Sequence, residues 1–137
     1  MRRFFAAIPG LVALAVFAAA YPSLARASEY TEPLRHVPNV EVRSSGKVVF
    51  SGTVDLGPTL DRIARGETYP HRNDGAVFGN RERRLPKKPS GWYREYVVPT
   101  PGVSGPGPQR LVVGKDGEVY YTPDHYETFR HLNERTR

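Results

Sequence analysis

The sequence contains no cysteine, and this absence removes disulfides, thiol nucleophiles and cysteine-based zinc sites from its chemistry. Its four histidines lack the HExxH-like spacing that places two of them on one face of a zinc-binding helix. We therefore expect no metal site.

Residues 1–27 have the three parts of a secretory signal peptide. Met1-Arg2-Arg3 gives a positive start, residues 4–20 form an apolar run, and Ala25-Arg26-Ala27 fits the small-x-small cleavage pattern. The alternative is a membrane anchor, because the apolar run is not far short of a span. A proline and a glycine interrupt the run, which favours the signal. We therefore predict a secreted, extracellular protein that begins at Ser28.

A secreted domain without cysteine must draw its stability from packing, since disulfides are the usual reinforcement of small exported domains. Residues 28–137 are enough for one domain with one modest core. Three of the 20 Lys and Arg residues and none of the 14 acidic residues lie in residues 1–27, so signal removal lowers the formal charge from +6 to +3. This mildly basic balance is compatible with a polyanionic partner but does not establish one.

Two interpretations stay open for residues 28–50. The stretch as far as Asn39 is polar, contains two prolines and has no clear periodicity, which is typical of a mobile leader. The later stretches Val40–Arg43 and Lys47–Phe50, the second of which leads directly into Ser51, could form a short extended hairpin. We take residues 51–137 as the domain that carries the function.

One segment of this domain has the pattern of an α-helix. Pro58 lies at the start of the run Pro58–Arg65 and Gly66 follows its end, an asymmetry that is typical of a short helix. We predict that Leu60, Ile63 and Ala64 face the core.

Five later segments have the pattern of strands separated by turn residues. They are Ala76–Phe78, Trp92–Val98, Gln109–Val113, Glu118–Thr122 and His125–Phe129, with the Asp-Gly signal of a tight hairpin at Lys115-Asp116-Gly117. A helix followed by an antiparallel meander predicts an α+β fold, with one short helix packed on a twisted antiparallel sheet.

Three groups of different chemistry, a carboxylate, a guanidinium and an imidazole, lie on three of the predicted strands. Glu95 shares a strand face with Tyr93 and Val97, where a carboxylate loses hydration unless a cation or a ligand meets it. Arg110 and His125 lie on later strands, and antiparallel neighbours can bring such residues to one face. A carboxylate base, a cation and an imidazole acid are the set needed to cleave a phosphodiester through a neighbouring hydroxyl. Spacing alone leaves two alternatives open. Glu95 could face solvent, and His125 could be an ordinary surface residue or a packing residue.

Several ordered motifs with matching separations stand between residues 51 and 129. They are Ser51-Gly-Thr-Val54, the run from Tyr69 to Glu82, Leu85-Pro86, Tyr93-Arg-Glu-Tyr-Val97, Thr100-Pro-Gly102 and Tyr120-Tyr-Thr-Pro-Asp-His-Tyr-Glu-Thr-Phe129. With these motifs the chain resembles the secreted guanyl-specific ribonucleases of bacteria, the barnase-like superfamily. The resemblance implies the microbial ribonuclease fold and a ribonuclease domain at residues 51–137.

The resemblance also implies a reaction that needs neither a metal nor another cofactor. Glu95 would be the general base that takes the proton of the RNA 2′-hydroxyl, and His125 the general acid that protonates the leaving 5′-oxygen. Arg110 would hold the phosphoryl oxygens, and Tyr126 would line the site. The product is a 2′,3′-cyclic phosphate, which water opens to a 3′-phosphate.

For base recognition, the resemblance points to residues 78–82. Phe78 would pack on guanine, and backbone N–H groups around Asn80 and Arg81 would meet its O6. Glu82 would accept hydrogen bonds from N1–H and from the exocyclic amine, whereas adenine lacks N1–H and would leave Glu82 unpaired. The alternative is that Glu82 merely pairs with Arg81 or Arg83 in a solvated loop.

The chain departs from the family at the phosphate. The family brings a second arginine from the loop before Arg110, and Pro106 occupies that place here, in a loop without positive charge. Arg84, Lys87 and Lys88 are cations of a neighbouring loop, and their positions do not follow from the sequence. The phosphate site is therefore expected to be weaker than in relatives.

A second departure concerns a disulfide. In the relatives with the most similar motifs it joins the start of the helical segment to the C-terminus, whereas Asp55 and a polar tail stand there in this chain. Such a bridge contributes about 3–5 kcal/mol. We therefore expect a lower stability.

Two other classes of function stay open. A catalytically weakened member of the same fold would bind RNA or an inhibitor protein, which Pro106 favours and the intact catalytic set opposes. A structural secreted protein would show no concentration of titratable residues on one sheet face. As partners, the resemblance implies RNA and a small acidic barstar-like inhibitor protein, and we expect a monomer without membrane contact after signal cleavage.

Overall fold

The computed structural model describes residues 28–137. The predicted signal peptide of residues 1–27 lies outside the described residues. In the described part of the chain, no helix is both long enough and apolar enough to cross a bilayer.

The chain folds as one short helix packed against antiparallel sheets, which confirms the predicted α+β class. Its elements are β1 (His36–Ser44), β2 (Lys47–Asp55), α1 (Gly57–Ala64), β3 (Val77–Phe78), β4 (Tyr93–Val97), β5 (Arg110–Gly114), β6 (Val119–Thr122) and β7 (Arg130–His131). The first two strands pair with each other, and β3 to β7 form a five-stranded antiparallel meander in chain order.

The helix differs from its prediction in the residues that it buries. It spans Gly57–Ala64, and Leu60 and Ile63 are partly buried against the core as predicted. Ala64 is exposed, so its predicted place in the core is wrong. Arg62 is buried on this helix instead, at 4% exposure, because the buried Asp74 carboxylate neutralises its guanidinium.

Residues 36–55 form an antiparallel hairpin, the second of the two interpretations that the sequence left open. Val40 and Val42 of β1 are fully buried, in the same cluster as Leu111 of β5 and Tyr121 of β6. The boundary predicted at residue 51 falls within β2. The hairpin therefore shares one hydrophobic core with the meander.

The N-terminal segment (residues 28–35) runs beside the C-terminus, although its composition is typical of a mobile leader. Backbone hydrogen bonds of 2.7 to 2.9 Å join the two stretches, from Thr31 N–H to Glu134 O, from Leu34 N–H to Leu132 O and from Thr136 N–H to Glu29 O. Leu56 N–H, at the start of the helix, donates to Arg35 O at 2.6 Å. Adjacent residues of this segment thus hold the start of the helix and the C-terminus.

The buried Asn133 side chain closes this junction. Its Oδ1 accepts from Val119 N–H at 3.0 Å, and its Nδ2 donates to Thr31 O at 3.0 Å and to Gly117 O at 2.8 Å. One amide group therefore connects the N-terminal segment, β6 and the β5–β6 turn.

We predict that Asn133→Ala lowers the free energy of unfolding by about 2–4 kcal/mol, because it leaves one N–H and two C=O groups inside the protein without partners. Chemical denaturation followed by circular dichroism measures the loss. Glu134→Ala is the control, since this exposed neighbour takes part in the junction through its backbone. Equal losses for the two variants would contradict the role given to Asn133.

Candidate active site

A cleft of about 550 Å³ opens between two irregular stretches, the 78–85 loop and the 122–129 turn. Its lining includes Glu95 of β4, Phe78, Glu82 and Arg84 of the 78–85 loop, and Tyr126 and Phe129 of the 122–129 turn. The cleft therefore gathers the predicted base-binding residues with two of the predicted catalytic residues, Glu95 and Tyr126, whereas Arg110 and His125 do not line it.

Glu95 lies in the middle of β4, and the register of the sheet explains its neighbours. Glu95 is opposite Val112, while Arg110 is opposite Val97 on one side and Thr122 on the other. Glu95 and Arg110 are therefore diagonal neighbours on one face of the sheet. Glu95 is 7% exposed, which excludes a solvent-facing carboxylate.

Burial raises the pKa of the Glu95 carboxyl, and three neighbours oppose this effect. Tyr126 Oη donates a hydrogen bond to Glu95 Oε2 at 2.9 Å, and the electrostatic effects of Arg110 and of the His125 imidazole favour the ionised form of Glu95. The pKa of Glu95 remains above its usual value. A carboxylate in this state is a stronger base than a solvated one.

Arg110 is buried and is anchored by backbone carbonyls of the loop that precedes β5. Its Nη1 donates to Gly107 O and to Gln109 O, each at 2.7 Å, and more weakly to Pro106 O at 3.4 Å. The guanidinium is therefore held in place before any anion binds. Its charge lowers the pKa of Glu95, so it acts on the predicted base directly.

His125 and Tyr126 lie in a turn, so the strand predicted at His125–Phe129 is wrong. Both residues have left-handed backbone conformations, with φ of +53° and +71°. Residues other than glycine adopt this conformation when the surroundings hold them there. His125 N–H donates to Pro108 O at 2.9 Å, and Tyr126 N–H donates to Thr122 Oγ1 at 3.0 Å. These bonds keep the exposed His125 at the edge of the site.

Asp124 organises the same turn. Its Oδ1 accepts from the Thr122 hydroxyl at 2.9 Å and from Thr128 N–H at 2.8 Å, and its Oδ2 accepts from the Thr128 hydroxyl at 2.5 Å. Side-chain hydrogen bonds thus replace the ladder of a strand. The alternation of polar and apolar residues in this stretch is typical of a strand. A polarity pattern contains no information about the side-chain hydrogen bonds that make it a turn instead.

Aromatic rings connect the two walls of the cleft. Tyr126 stacks on Phe78 with ring centroids 5.0 Å apart, and Phe129 meets Phe78 edge to face at 6.0 Å. Burial raises the pKa of Tyr126, so its hydroxyl keeps its proton and remains a donor. The stacked rings leave no room for a third ring between them, so a planar ligand must lie beside the pair or separate it.

Asn80 shapes the 78–85 loop. It has a φ of +49°, its Nδ2 donates to Leu85 O at 2.9 Å, and its Oδ1 accepts from Leu85 N–H at 3.1 Å. Because Leu85 is buried, these bonds fix the loop to the core, while Arg81 and Glu82 are exposed at its tip.

Arg84 lies in the cleft, a position that no sequence signal indicated. Its Nη1 is 2.6 Å from Glu82 Oε2 and donates to Tyr126 O at 2.7 Å. Glu82 therefore pairs with Arg84 and not with Arg81 or Arg83, the partners that the alternative named. The pair is solvated, with side chains 43% and 70% exposed, and it joins the two walls of the cleft.

A buried ion pair that the sequence did not reveal lies behind the predicted base. Arg62 Nη1 is 2.6 Å from Asp74 Oδ2, and both side chains are shielded from solvent. Asp74 Oδ1 accepts from Val97 N–H at 2.8 Å, and Arg62 Nη2 donates to Val97 O at 2.8 Å. Because Gly75 N–H donates to Glu95 O at 2.7 Å, this network positions the strand that carries Glu95.

Comparison with known proteins places the chain in a family. The family model for ribonucleases matches residues 55–133. Guanyl-specific ribonuclease St of Saccharopolyspora erythraea is 50% identical over 80 residues, which cover 56% of this chain and 79% of that protein. Guanyl-specific ribonuclease Sa of Kitasatospora aureofaciens is 45% identical over 87 residues, which cover 58% of this chain and 91% of that protein.

Solved structures agree with the sequence matches. A structure of ribonuclease Sa2 complexes with mononucleotides has a TM-score of 0.54 and 49% identity, and the match covers 58% of this chain and 82% of that one. A structure of ribonuclease Sa2 with guanosine-2′-cyclophosphate has a TM-score of 0.52 at 49% identity, covering 58% and 85% of the two chains. The chain therefore belongs to the ribonuclease family, within the group of guanyl-specific microbial ribonucleases.

Proposed function

We propose that the protein is a secreted endoribonuclease that cleaves single-stranded RNA after guanosine without a metal cofactor. The observation that carries the proposal is the Glu95 carboxyl, which is buried beside Arg110 and Tyr126 in the cleft. Membership of the ribonuclease family supports the reaction class. The names of the relatives, which are guanyl-specific, support the base preference.

RNA carries its own nucleophile, because a 2′-hydroxyl lies beside the scissile phosphate. Glu95 takes the proton of this hydroxyl, the 2′-oxygen bonds to phosphorus, and the bond from phosphorus to the 5′-oxygen of the next nucleotide breaks. His125 gives a proton to that leaving oxygen. The product is a 2′,3′-cyclic phosphate.

In the second step the two groups exchange roles. His125 takes a proton from water, the water oxygen attacks phosphorus, and Glu95 returns its proton to the departing 2′-oxygen. The product then carries a 3′-phosphate. In both steps Arg110 faces growing negative charge on the phosphoryl oxygens, and its anchored guanidinium needs little rearrangement to stabilise that charge. Tyr126 keeps Glu95 oriented through its hydroxyl.

Guanine offers two adjacent donors, N1–H and the exocyclic amine, which one carboxylate accepts together. Glu82 supplies this carboxylate once guanine displaces Arg84 from it. Breaking a solvated pair of this kind costs only about 0–1 kcal/mol. In the same complex Phe78 packs on the base, and the backbone N–H groups of Asn80 and Arg81 meet O6.

A second candidate function is RNA or inhibitor binding with weakened catalysis. Pro106 favours it, because the loop between β4 and β5 supplies no cation to the phosphate. The buried Glu95 and the anchored Arg110 favour the enzyme, since a binding module needs neither a raised base pKa nor a fixed guanidinium. Export, a small acidic barstar-like inhibitor and a monomeric state accompany the proposal by resemblance.

The proposed function is tested by incubating the mature protein with RNA in EDTA and mapping the ends. We expect cuts after guanosine that leave cyclic or 3′-phosphates.

Glu82→Gln should reduce the preference for guanosine, because a neutral amide cannot accept from both donors. Glu95→Gln and His125→Ala should each lower kcat by about 10²–10⁴, and they control for contaminating nuclease. Equal cleavage after all four bases would remove the role of Glu82, and loss of cleavage in EDTA would remove the metal-free mechanism.

We predict that Tyr126→Phe shifts the acidic limb of the pH profile of kcat/KM to higher pH. The lost hydrogen bond lowers the pKa of Glu95 in the wild-type protein, so the variant has a higher pKa and its base deprotonates later as pH rises. Tyr96→Phe, on the opposite face of β4, is the control. An acidic limb that stays in place in Tyr126→Phe would exclude this coupling.

The phosphate site gives a further prediction. Pro106 is exposed and its carbonyl already contacts Arg110, so a side chain at this position begins next to the anchored guanidinium. Arginine can adopt the φ near −65° that proline imposes. We expect Pro106→Arg to raise kcat/KM on GpN dinucleotides by about tenfold, because a second cation meets the developing charge. Pro101→Arg, in the same loop, should give no gain, and equal gains would point to a general charge effect.

A further inference from the structure

A second cavity, of about 350 Å³, adjoins the predicted base-binding residues of the cleft. Residues 77–81 line both this cavity and the active-site cleft. Its remaining lining comes from Arg83, residues 87–91 and Tyr93. A ligand that extends past the guanine site therefore meets this cavity next.

The cavity is strongly basic. Four cations line it, Arg81, Arg83, Lys87 and Lys88, and the lining contains no carboxylate. Six other arginines of residues 28–137 form ion pairs with Asp or Glu side chains, whereas none of these four does so in that part of the chain. The cavity thus carries positive charge that the protein itself does not neutralise, next to a cleft whose substrate is a polyanion.

The two lysines are held by a stiff stretch of chain. Pro86 and Pro89 flank them, the Tyr93 hydroxyl donates to Pro86 O at 2.6 Å, and Trp92 N–H donates to Pro89 O at 3.1 Å. Lys88 Nζ lies 4.8 Å from the centroid of the Trp92 ring, and the indole N–H of Trp92 donates to the buried Glu118. Trp92 does not line the cavity, so its ring positions Lys88 rather than stacking on a base. A positively charged groove that follows the backbone is one of the features by which proteins bind single-stranded nucleic acids.

We propose that this cavity is a subsite for the RNA backbone on the 5′ side of the guanosine, where Lys87 and Lys88 contact phosphates. The inference rests on the proposed function, because it takes the guanine site as its reference point. The scissile phosphate lies on the 3′ side, at Glu95 and Arg110. Neither Glu95 nor Arg110 lines the cavity, which leaves the cavity for the 5′ side of the chain.

The subsite predicts that the enzyme distinguishes substrates by length and by direction. A GpN dinucleotide ends at the guanosine and cannot reach the lysines. A substrate with two more nucleotides on its 5′ side reaches them, so its kcat/KM should exceed that of GpN. Each phosphate contact releases counterions, so the gain weakens as salt rises. For two contacts on a single strand, the gain in kcat/KM should fall by about sevenfold between about 50 and 200 mM salt.

The test compares GpN with substrates extended by two nucleotides on the 5′ side only or on the 3′ side only. Lys87→Gln/Lys88→Gln should lose the 5′ gain and its salt dependence while its kcat/KM on GpN stays unchanged. Lys47→Gln/Arg137→Gln removes the same charge from exposed positions outside the cavity lining and should keep the gain. A gain that is absent, that appears only on 3′ extension, or that is lost equally in both double variants would overturn the proposal.

A binding experiment separates this subsite from the catalytic proposal. An oligonucleotide with 2′-deoxyguanosine at the cleavage position lacks the nucleophile, and Trp92, the single tryptophan of the chain, reports its approach to Lys88 by fluorescence. If wild-type protein fails to cleave GpN, the proposed function fails. The subsite then stands only if two results hold. The affinity of wild-type protein for this oligonucleotide must exceed that of the lysine double variant, and it must equal that of the control variant.

Discussion

The buried Asp74 carboxylate is the group on which the geometry of the molecule depends most. It accepts from Arg62 of the helix at 2.6 Å, from Tyr69 N–H at 2.7 Å and from Val97 N–H at 2.8 Å. A buried carboxylate that loses a partner costs several kcal/mol, so Asp74 favours keeping the helix, the loop and β4 together. The Tyr69 ring covers Arg62, with the guanidinium carbon 3.8 Å from its centroid, and completes the shielding of the pair.

Rigidity at Val97 matters because Glu95 lies two residues earlier on the same strand. The sheet withdraws the Glu95 carboxyl from water, which raises its pKa, and Tyr126 and Arg110 compensate only in part. A carboxyl whose pKa is higher in the folded than in the unfolded state favours folding in its protonated form. Its contribution to stability is present at low pH and is lost as pH rises from the unfolded to the folded pKa. On the proposed function, Glu95 therefore lowers stability at the pH at which it is deprotonated and can act as the base.

The sequence predicted the parts of the fold that local patterns determine. Alternation and turn residues indicated β4, β5 and the face of Glu95, because the side-chain period of a strand is a local property. Three features depended on distant partners: Arg62 with Asp74, Arg84 with Tyr126, and Asn133 with Thr31, at separations of 12, 42 and 102 residues. A pattern of polarity assigns Arg62 and Asn133 to solvent, but their tertiary partners allow them to be buried, and it does not show which partner the exposed Arg84 meets. The same limit explains the error at His125, where Asp124 forms hydrogen bonds that polarity does not show.

The cations on either side of the 78–85 loop act in different ways because they are paired differently. Lys87 and Lys88 have no acidic partner among the described residues, so their field reaches an approaching RNA chain before contact. Arg84 is paired with Glu82 in a solvated ion pair, so a ligand that replaces the donors of Arg84 displaces it at little cost. On the proposed function, guanine brings two donors and adenine does not, and an adenine in the cleft leaves the Glu82–Arg84 pair closed. Specificity is a difference between affinities, and here it comes from the two donors that guanine offers to Glu82 and adenine does not.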